Sequence, residues 1–325
     1  MKDKELAVGI DIGGTNTVFG FVDREGNILA EGSLKTAVYD EAEVFVASLY
    51  EKIMHDSRKA GDSFVLKGFG IGAPMGNITR GTIEGAAGLP WKGVVPLADL
   101  FRRHTDLPVI VTNDANAAAA GEMIYGGARG MKNFVVITLG TGLGSGFVID
   151  GKLVYGHDGF AGEIGHTAIR PGTSNRECGC GRKGCLETYV SATGLKRTLL
   201  KIMADSMQPS KLRSYSFDEL DAKLIHDAAK EGDPLAVNAF EHTGRMLGFK
   251  LADVVAHTNP EAIFLFGGLA LAKDLIFEPA KEYMEENLLD IYKGKVKLLA
   301  SELSTQNAAV LGASSLIWAC PEHGQ

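Results

Sequence analysis

Two hydrophobic periods alternate along the chain. Short apolar runs at residues 6–10, 65–71, 109–112, 135–139 and 262–266, several of them ending at Gly, Asp or Asn, read as buried strands. Helical spacing fills much of what lies between. Residues 41–60 put Val44, Leu49 and Ile53 on one side, 115–125 is alanine-rich, and 233–257 and 307–318 follow the same period. Strands mixed with helices predict an α/β fold. The final helix, 307–318, is placed to pack back against the first part of the chain.

A weak repetition is laid over this pattern. The run at 6–10 meets Asp11-Ile12-Gly13-Gly14-Thr15-Asn16, then Gly20-Phe21-Val22-Asp23 and a turn at Glu25-Gly26-Asn27. The run at 135–139 meets Gly140-Thr141-Gly142-Leu143-Gly144, then Gly146-Phe147-Val148-Ile149-Asp150 and a turn at Gly151-Lys152. Both copies read as strand, Gly/Thr loop, strand, turn, strand, a β-hairpin unit used twice. Such loops present backbone N–H groups and a hydroxyl with no bulky side chain to hold a ligand away, which suits phosphate. Two ordinary hairpins with glycine turns would give the same local pattern. The duplication resembles the two-lobed actin and hexokinase architecture. The expected division is a small α/β lobe at 1–112 plus 305–325, closed by the C-terminal helix, and a large α/β lobe at 113–304.

Composition narrows the function classes. With 325 residues the chain exceeds the size at which one core stops growing, so two lobes are expected. Net charge is −7 and the basic residues are scattered, which argues against nucleic acid and for a small-molecule ligand. No apolar run approaches a membrane span of about 18 residues, and the start lacks a secretory signal, so a cytoplasmic protein with no membrane partner is expected. There is no G-x-x-x-x-G-K-[ST] loop. Gly68-Phe69-Gly70-Ile71-Gly72-Ala73 runs into Pro74 instead of a helix, which excludes a dinucleotide fingerprint.

Two constellations could carry chemistry. Asn113-Asp114-Ala115-Asn116 follows the strand at 109–112 and opens the alanine-rich helix, so Asp114 lies at a strand's carboxyl end, where α/β sheets bind ligands. Asn and Asp are also favoured N-caps, and the local pattern leaves capping and catalysis open. The second constellation is Gly162-Glu163-Ile164-Gly165-His166 followed by Cys178-Gly179-Cys180-Gly181-Arg182-Lys183-Gly184-Cys185-Leu186-Glu187. Three cysteines and a histidine suit a closed, structural zinc site. A Cys178–Cys180 disulfide would be strained, and free thiols are the other reading. Fixing His166 would also fix Glu163 and Glu187, whose carboxylates suit sugar hydroxyls; solvated surface glutamates are the alternative.

Together with Asn113-Asp114-Ala115-Asn116-Ala117-Ala118-Ala119-Ala120-Gly121-Glu122, these motifs resemble, in order and over nearly the whole chain, the ROK family of sugar kinases and sugar-responsive repressors. The resemblance implies ATP-dependent phosphorylation of a hexose, glucose foremost, with N-acetylmannosamine, N-acetylglucosamine or fructose as alternatives. It makes Asp114 the catalytic base and Asn113, Asp114, Glu163, His166 and Glu187 sugar contacts. It assigns zinc to His166, Cys178, Cys180 and Cys185. Gly13, Gly14, Thr15, Asn16, Thr141 and Gly142 would meet the ATP phosphates, Asp11 would hold Mg²⁺ through water, and Gly267 and Gly268 would lie beside the adenosine. A homodimer or homotetramer is implied. Repressors of the family carry a DNA-binding domain ahead of the first loop, and the dozen residues here are too few for one. Relatives often carry Asn where this chain has Gly88, in a segment near the sugar, which makes the choice of sugar less secure than the reaction.

Overall fold

The computed structural model describes residues 4–61, 63–86, 88–169, 175–303 and 307–320. Contacts divide the chain into two units, one of Met1–Lys132, Gly146–Gly162 and Ser301–Gln325, the other of Asn133–Ser145 and Glu163–Ala300. Residues 113–132 thus group with the first unit, where the sequence reading set the boundary at 112.

The first unit is built on a five-stranded sheet of order β3-β2-β1-β4-β8, from β1 (Lys4–Ile12), β2 (Asn16–Asp23), β3 (Ile28–Lys35), β4 (Phe64–Gly72) and β8 (Val109–Thr112). Between β4 and β8 lies a small antiparallel sheet, β5 (Gly76–Asn77), β6 (Thr82–Glu84) and β7 (Val94–Val95). β1, β4 and β8 run parallel, and their inner residues are buried on both faces, which is why they read as continuous apolar runs. Edge strand β3 instead alternates between covered and exposed positions. Helices α1 (Ala42–Asp56) and α2 (Leu97–Arg102) bring Phe45, Leu49, Ile53, Leu97 and Phe101 into the core with Ile10, Phe69 and Val111. The buried stripe of α1 is Phe45, Val46, Leu49 and Ile53; Val44, expected on it, is half exposed because it falls one residue short of that face.

The opposite face is covered by α3 (Asp114–Ile124) and α8 (Ala308–Ala319), and glycines set how closely they approach. A Cβ on Gly70 would lie 1.9 Å from the Ala313 carbonyl oxygen, and one on Gly9 would lie 2.0 Å from that of Val310. Gly9 of β1 and Gly70 of β4 therefore admit a helix onto the sheet. Gly312 likewise faces Ala117, where a Cβ would meet the carbonyl oxygen at 2.8 Å.

A second sheet has the order β11-β10-β9-β12-β13, from β9 (Phe134–Leu139), β10 (Leu143–Ile149), β11 (Lys152–Leu153), β12 (Ala262–Phe266) and β13 (Lys297–Ala300). β9, β12 and β13 are parallel. The helices of the second unit are α4 (Ala192–Asp205), α5 (Ala222–Lys230), α6 (Pro234–Thr258) and α7 (Asp274–Asn287). Asp233 caps α6 by accepting from the Leu235 and Ala236 N–H groups, and Pro234 fills its first position, where no N–H is needed. Among the described residues no helix is long and apolar enough to cross a membrane.

Candidate active site and metal centre

In the first unit, strand register brings the acidic residues together. Asp11 of β1 pairs with Gly72 of β4, and Gly72 pairs with Thr112 of β8, so Asp11, Gly72 and Thr112 lie in one row at the carboxyl ends of three parallel strands. Asn113 and Asp114 follow at once. Gly72 leaves the middle of the row open; a Cβ there would stand 3.9 Å from both Asp11 Oδ1 and the Asp114 Cα.

The structure shows which of the two side chains caps the helix. Asn113 is extended and its Oδ1 accepts from the Asn116 N–H at 2.8 Å, so Asn113 is the N-cap of α3. Asp114 is the first helical residue, and its Oδ1 accepts a local bond from the Ala115 N–H, at 3.0 Å. Its side chain is open to solvent at the surface, yet enough protein surrounds it for desolvation to push its pKa above the ordinary carboxylate range, against the pull of backbone N–H groups. An accessible carboxylate in a recessed setting reconciles the two observations. Asp11 is raised to about 6, by desolvation first and by the charge of Asp114 second.

The first glycine loop is tight. The Gly13 N–H donates to the Asn16 carbonyl at 3.0 Å, and a Cβ on Gly14 would meet the Gly88 carbonyl oxygen at 2.3 Å. Thr15 and Asn16 are exposed. Gly88 itself has open space where a Cβ would be; its neighbour Ala87 lies outside the described residues.

In the second unit, the ligand atoms of His166, Cys178, Cys180 and Cys185 all lie within 4.8 Å of one another. Cys180 and Cys185 sulfurs are 3.7 Å apart, as are Cys178 Sγ and His166 Nδ1. Tetrahedral zinc with Zn–S bonds of about 2.3 Å would separate its sulfurs by about 3.8 Å, so the donor set fits that ion. Burial pushes the Cys178 thiol up to about 12 and, with the Cys180 thiol, raises Cys185. At Cys180 burial is outweighed by the Arg182 N–H and the other two thiols, and the pKa falls. Three gathered sulfurs that resist ionising together are suited to a divalent cation, which would draw off their protons.

Glu187 ties this centre to the second glycine loop. Its Oε2 accepts from the Leu143 N–H at 3.1 Å, its Oε1 accepts from Cys178 Sγ at 3.6 Å, and a Cβ on Gly142 would stand 2.4 Å from Oε2. This loop closes more tightly than the first, with the Gly140 N–H donating to the Gly142 carbonyl at 3.0 Å. Glu163 precedes the short 3₁₀ turn Ile164–His166 and is exposed.

Sequence reasoning missed Arg176. Its guanidinium donates to the Thr188 and Gly194 carbonyls and to Thr198 Oγ1 at 2.7, 3.1 and 3.0 Å and lies over the Tyr189 ring at 4.4 Å, fixing the turn that carries Glu187. Burial lowers its pKa to about 10. No motif signals it, because its partners are carbonyls far along the chain. Also missed was most of a cavity of about 700 Å³ lined by Thr141, Ala192, Ala222, Gly268, Leu269 and Leu271 among others. Gly267, beside it, has φ 101°, and a Cβ there would meet the Leu139 carbonyl oxygen at 2.7 Å, so only glycine fits.

The sequence profile of the ROK family matches residues 7–319. The chain belongs to the ROK family. Among ROK proteins it is similar to the glucokinase of Halalkalibacterium halodurans, at 34% identity over 95% of this chain and 94% of that protein. A ROK family glucokinase from Streptomyces griseus, solved in complex with glucose and AMPPNP, matches with a TM-score of 0.78 and 34% identity over 96% of this chain and 98% of that one. The xylose repressor of Caldicellulosiruptor bescii is 29% identical over 97% of this chain and 79% of its own length. The fold is the actin/hexokinase-like α/β fold of ROK sugar kinases.

Proposed function

We propose that this chain is an ATP-dependent sugar kinase that phosphorylates glucose, to glucose 6-phosphate, with Asp114 as general base. The observation that carries the reading is the accessible Asp114 carboxylate, relieved of capping by Asn113 and held above its ordinary pKa at the carboxyl end of β8. The similarity to glucokinases at 34% identity supports the reaction class and glucose as the sugar. N-acetylmannosamine, N-acetylglucosamine and fructose are the alternatives within the same chemistry.

The sugar hydroxyl lies in line with the γ-phosphoryl group, and Asp114 accepts its proton as the oxygen attacks phosphorus. A base whose pKa is raised toward the working pH takes that proton more readily than an ordinary aspartate. Asn113, Glu163, His166 and Glu187 hold the other hydroxyls. His166 turns Nδ1 toward Cys178, which leaves Nε2 for the sugar. Gly13, Gly14, Thr15, Asn16, Thr141 and Gly142 present backbone and hydroxyl donors to the phosphates, and Gly267 and Gly268 border the adenosine. Asp11 would hold Mg²⁺ through water, and the ion would supply positive charge against the phosphate oxygens. His166, Cys178, Cys180 and Cys185 would hold zinc, whose role with four protein donors would be structural, securing the turn that bears Glu187. The working protein is a cytoplasmic homodimer or homotetramer.

The similarity to a xylose repressor favours a second reading, a sugar-responsive regulator. ADP release measured over a panel of hexoses and N-acetylhexosamines separates the two. Glucose-dependent ADP release supports the kinase; sugar binding without ADP release from any sugar overturns it in favour of the regulator.

A further inference from the structure

We infer that the phosphoryl donor is not restricted to ATP and that the site accepts purine nucleoside triphosphates as a class, GTP and ITP included. The inference rests on the kinase reading and deepens it. It starts from the cavity of about 700 Å³ bordered by Thr141 and Gly268, a volume suited to a nucleoside. Its walls are mainly the aliphatic side chains of Ala192, Ala222, Leu269, Leu271 and Ala272.

The charged side chains that line this cavity are engaged with one another or with backbone. Asp221 Oδ1 accepts from the Leu224 N–H at 2.7 Å and caps α5. Lys223 pairs with Asp227 Oδ2 at 2.9 Å, and the other oxygen of Asp227 is 3.6 Å from His226 Nδ1. The His226 ring stands edge-on to Phe240, with centroids 6.2 Å apart. Thr141 sits on the glycine loop, where phosphate is expected. Side chains so paired leave the walls to grip a purine by shape and apolar contact.

Adenine and guanine differ at the six-position, amino against carbonyl, and by the amino group at the two-position. A pocket that hydrogen-bonds the edge of a base rejects the wrong one by about 10⁴-fold or more, whereas an apolar pocket rejects a near-isostere by only about 10²-fold. The reaction is unchanged by the base: the sugar oxygen–phosphorus bond forms, the bond from Pγ to the β–γ bridging oxygen breaks, Asp114 takes the hydroxyl proton, and GDP or IDP leaves in place of ADP.

The test is glucose phosphorylation by the full chain with ATP, GTP and ITP, together with the affinities of ADP and GDP by calorimetry. We expect kcat/KM for GTP and ITP within about 10³-fold of that for ATP, with the difference carried by KM. A larger loss overturns the inference and leaves the kinase reading intact. If no sugar is phosphorylated with ATP, the kinase reading falls, and the ADP and GDP affinities still judge the cavity by the same limit. Leu271 is 58% exposed, so Leu271→Ala carries little folding risk. It is expected to raise KM for ATP and GTP by the same factor of several; unchanged KM for both, or a change in one alone, overturns the placement of the base against this wall.

Discussion

Replacing Asp114 with Asn separates catalysis from stability, because the proposed base is held at a cost to the fold. Asp11 and Asp114 both have folded pKa values above their unfolded ones. Stability from such groups is fully present when they are protonated, below the unfolded value of about 3.9, and is lost as pH rises through the folded values, about 6 for Asp11. A rise from 3.8 to about 6 corresponds to roughly 3 kcal/mol at pH 7 as a ceiling, the larger part of it the desolvation of Asp11 itself, which Asp114→Asn leaves in place; the repulsion it relieves, screened by solvent, is about 1 kcal/mol or less. Asparagine removes the Asp114 charge, its desolvation and its repulsion of Asp11. At pH 7.5 Asp114→Asn should therefore melt higher than the parent by a few degrees, and the gap should narrow as pH falls toward 5. Turnover in an ADP-coupled glucose assay should drop by about 10²–10⁴-fold with the sugar KM within a few-fold of the parent. A variant that melts lower at pH 7.5, or one that retains more than a tenth of the parent's turnover, refutes the reasoning.

Three further outcomes follow from contacts already described. Gly70→Ala would drive a methyl into the Ala313 carbonyl, and overpacking of this kind should cost about 3 kcal/mol or prevent folding, read as a lower urea midpoint. Gly142→Ala would press on Glu187 Oε2 and should cut kcat/KM for glucose at least about tenfold, the loss expected for a misplaced substrate contact, with little change in urea midpoint; unaltered kinetics would remove Glu187 from the site. Metal analysis should find one zinc per chain. Because its ligands must be deprotonated, chelator should strip it faster at pH 5.5 than at pH 7.5, with a higher sugar KM in the stripped protein.

Legibility in the sequence followed burial. β8 and β12 coincide with the apolar runs at 109–112 and 262–266, because strands covered on both faces cannot hide in an alternating pattern. The buried stripe of α1 was misjudged at Val44, since an apolar residue beside a helix's covered face carries the same local signal as one on it. The candidate site was legible where its members are neighbours in sequence, as at Asn113-Asp114 and in the cysteine cluster. It was illegible where distant segments meet: nothing in the chain announces that Glu187 rests on Gly142, that Arg176 secures the turn before α4, or that Ala192, Ala222 and Leu271 share one wall.

The seating of α8 on Gly9 and Gly70 bears on how the protein is made. A chain leaving the ribosome at about 5–20 residues per second presents β1 and β4 long before α8 exists, so their apolar faces stay uncovered on the order of tens of seconds. The segment 163–300 emerges complete in the meantime. Slowing or truncating synthesis just short of residue 308 should therefore leave a nascent chain that chaperones hold, with its earliest strands still waiting for its last helix.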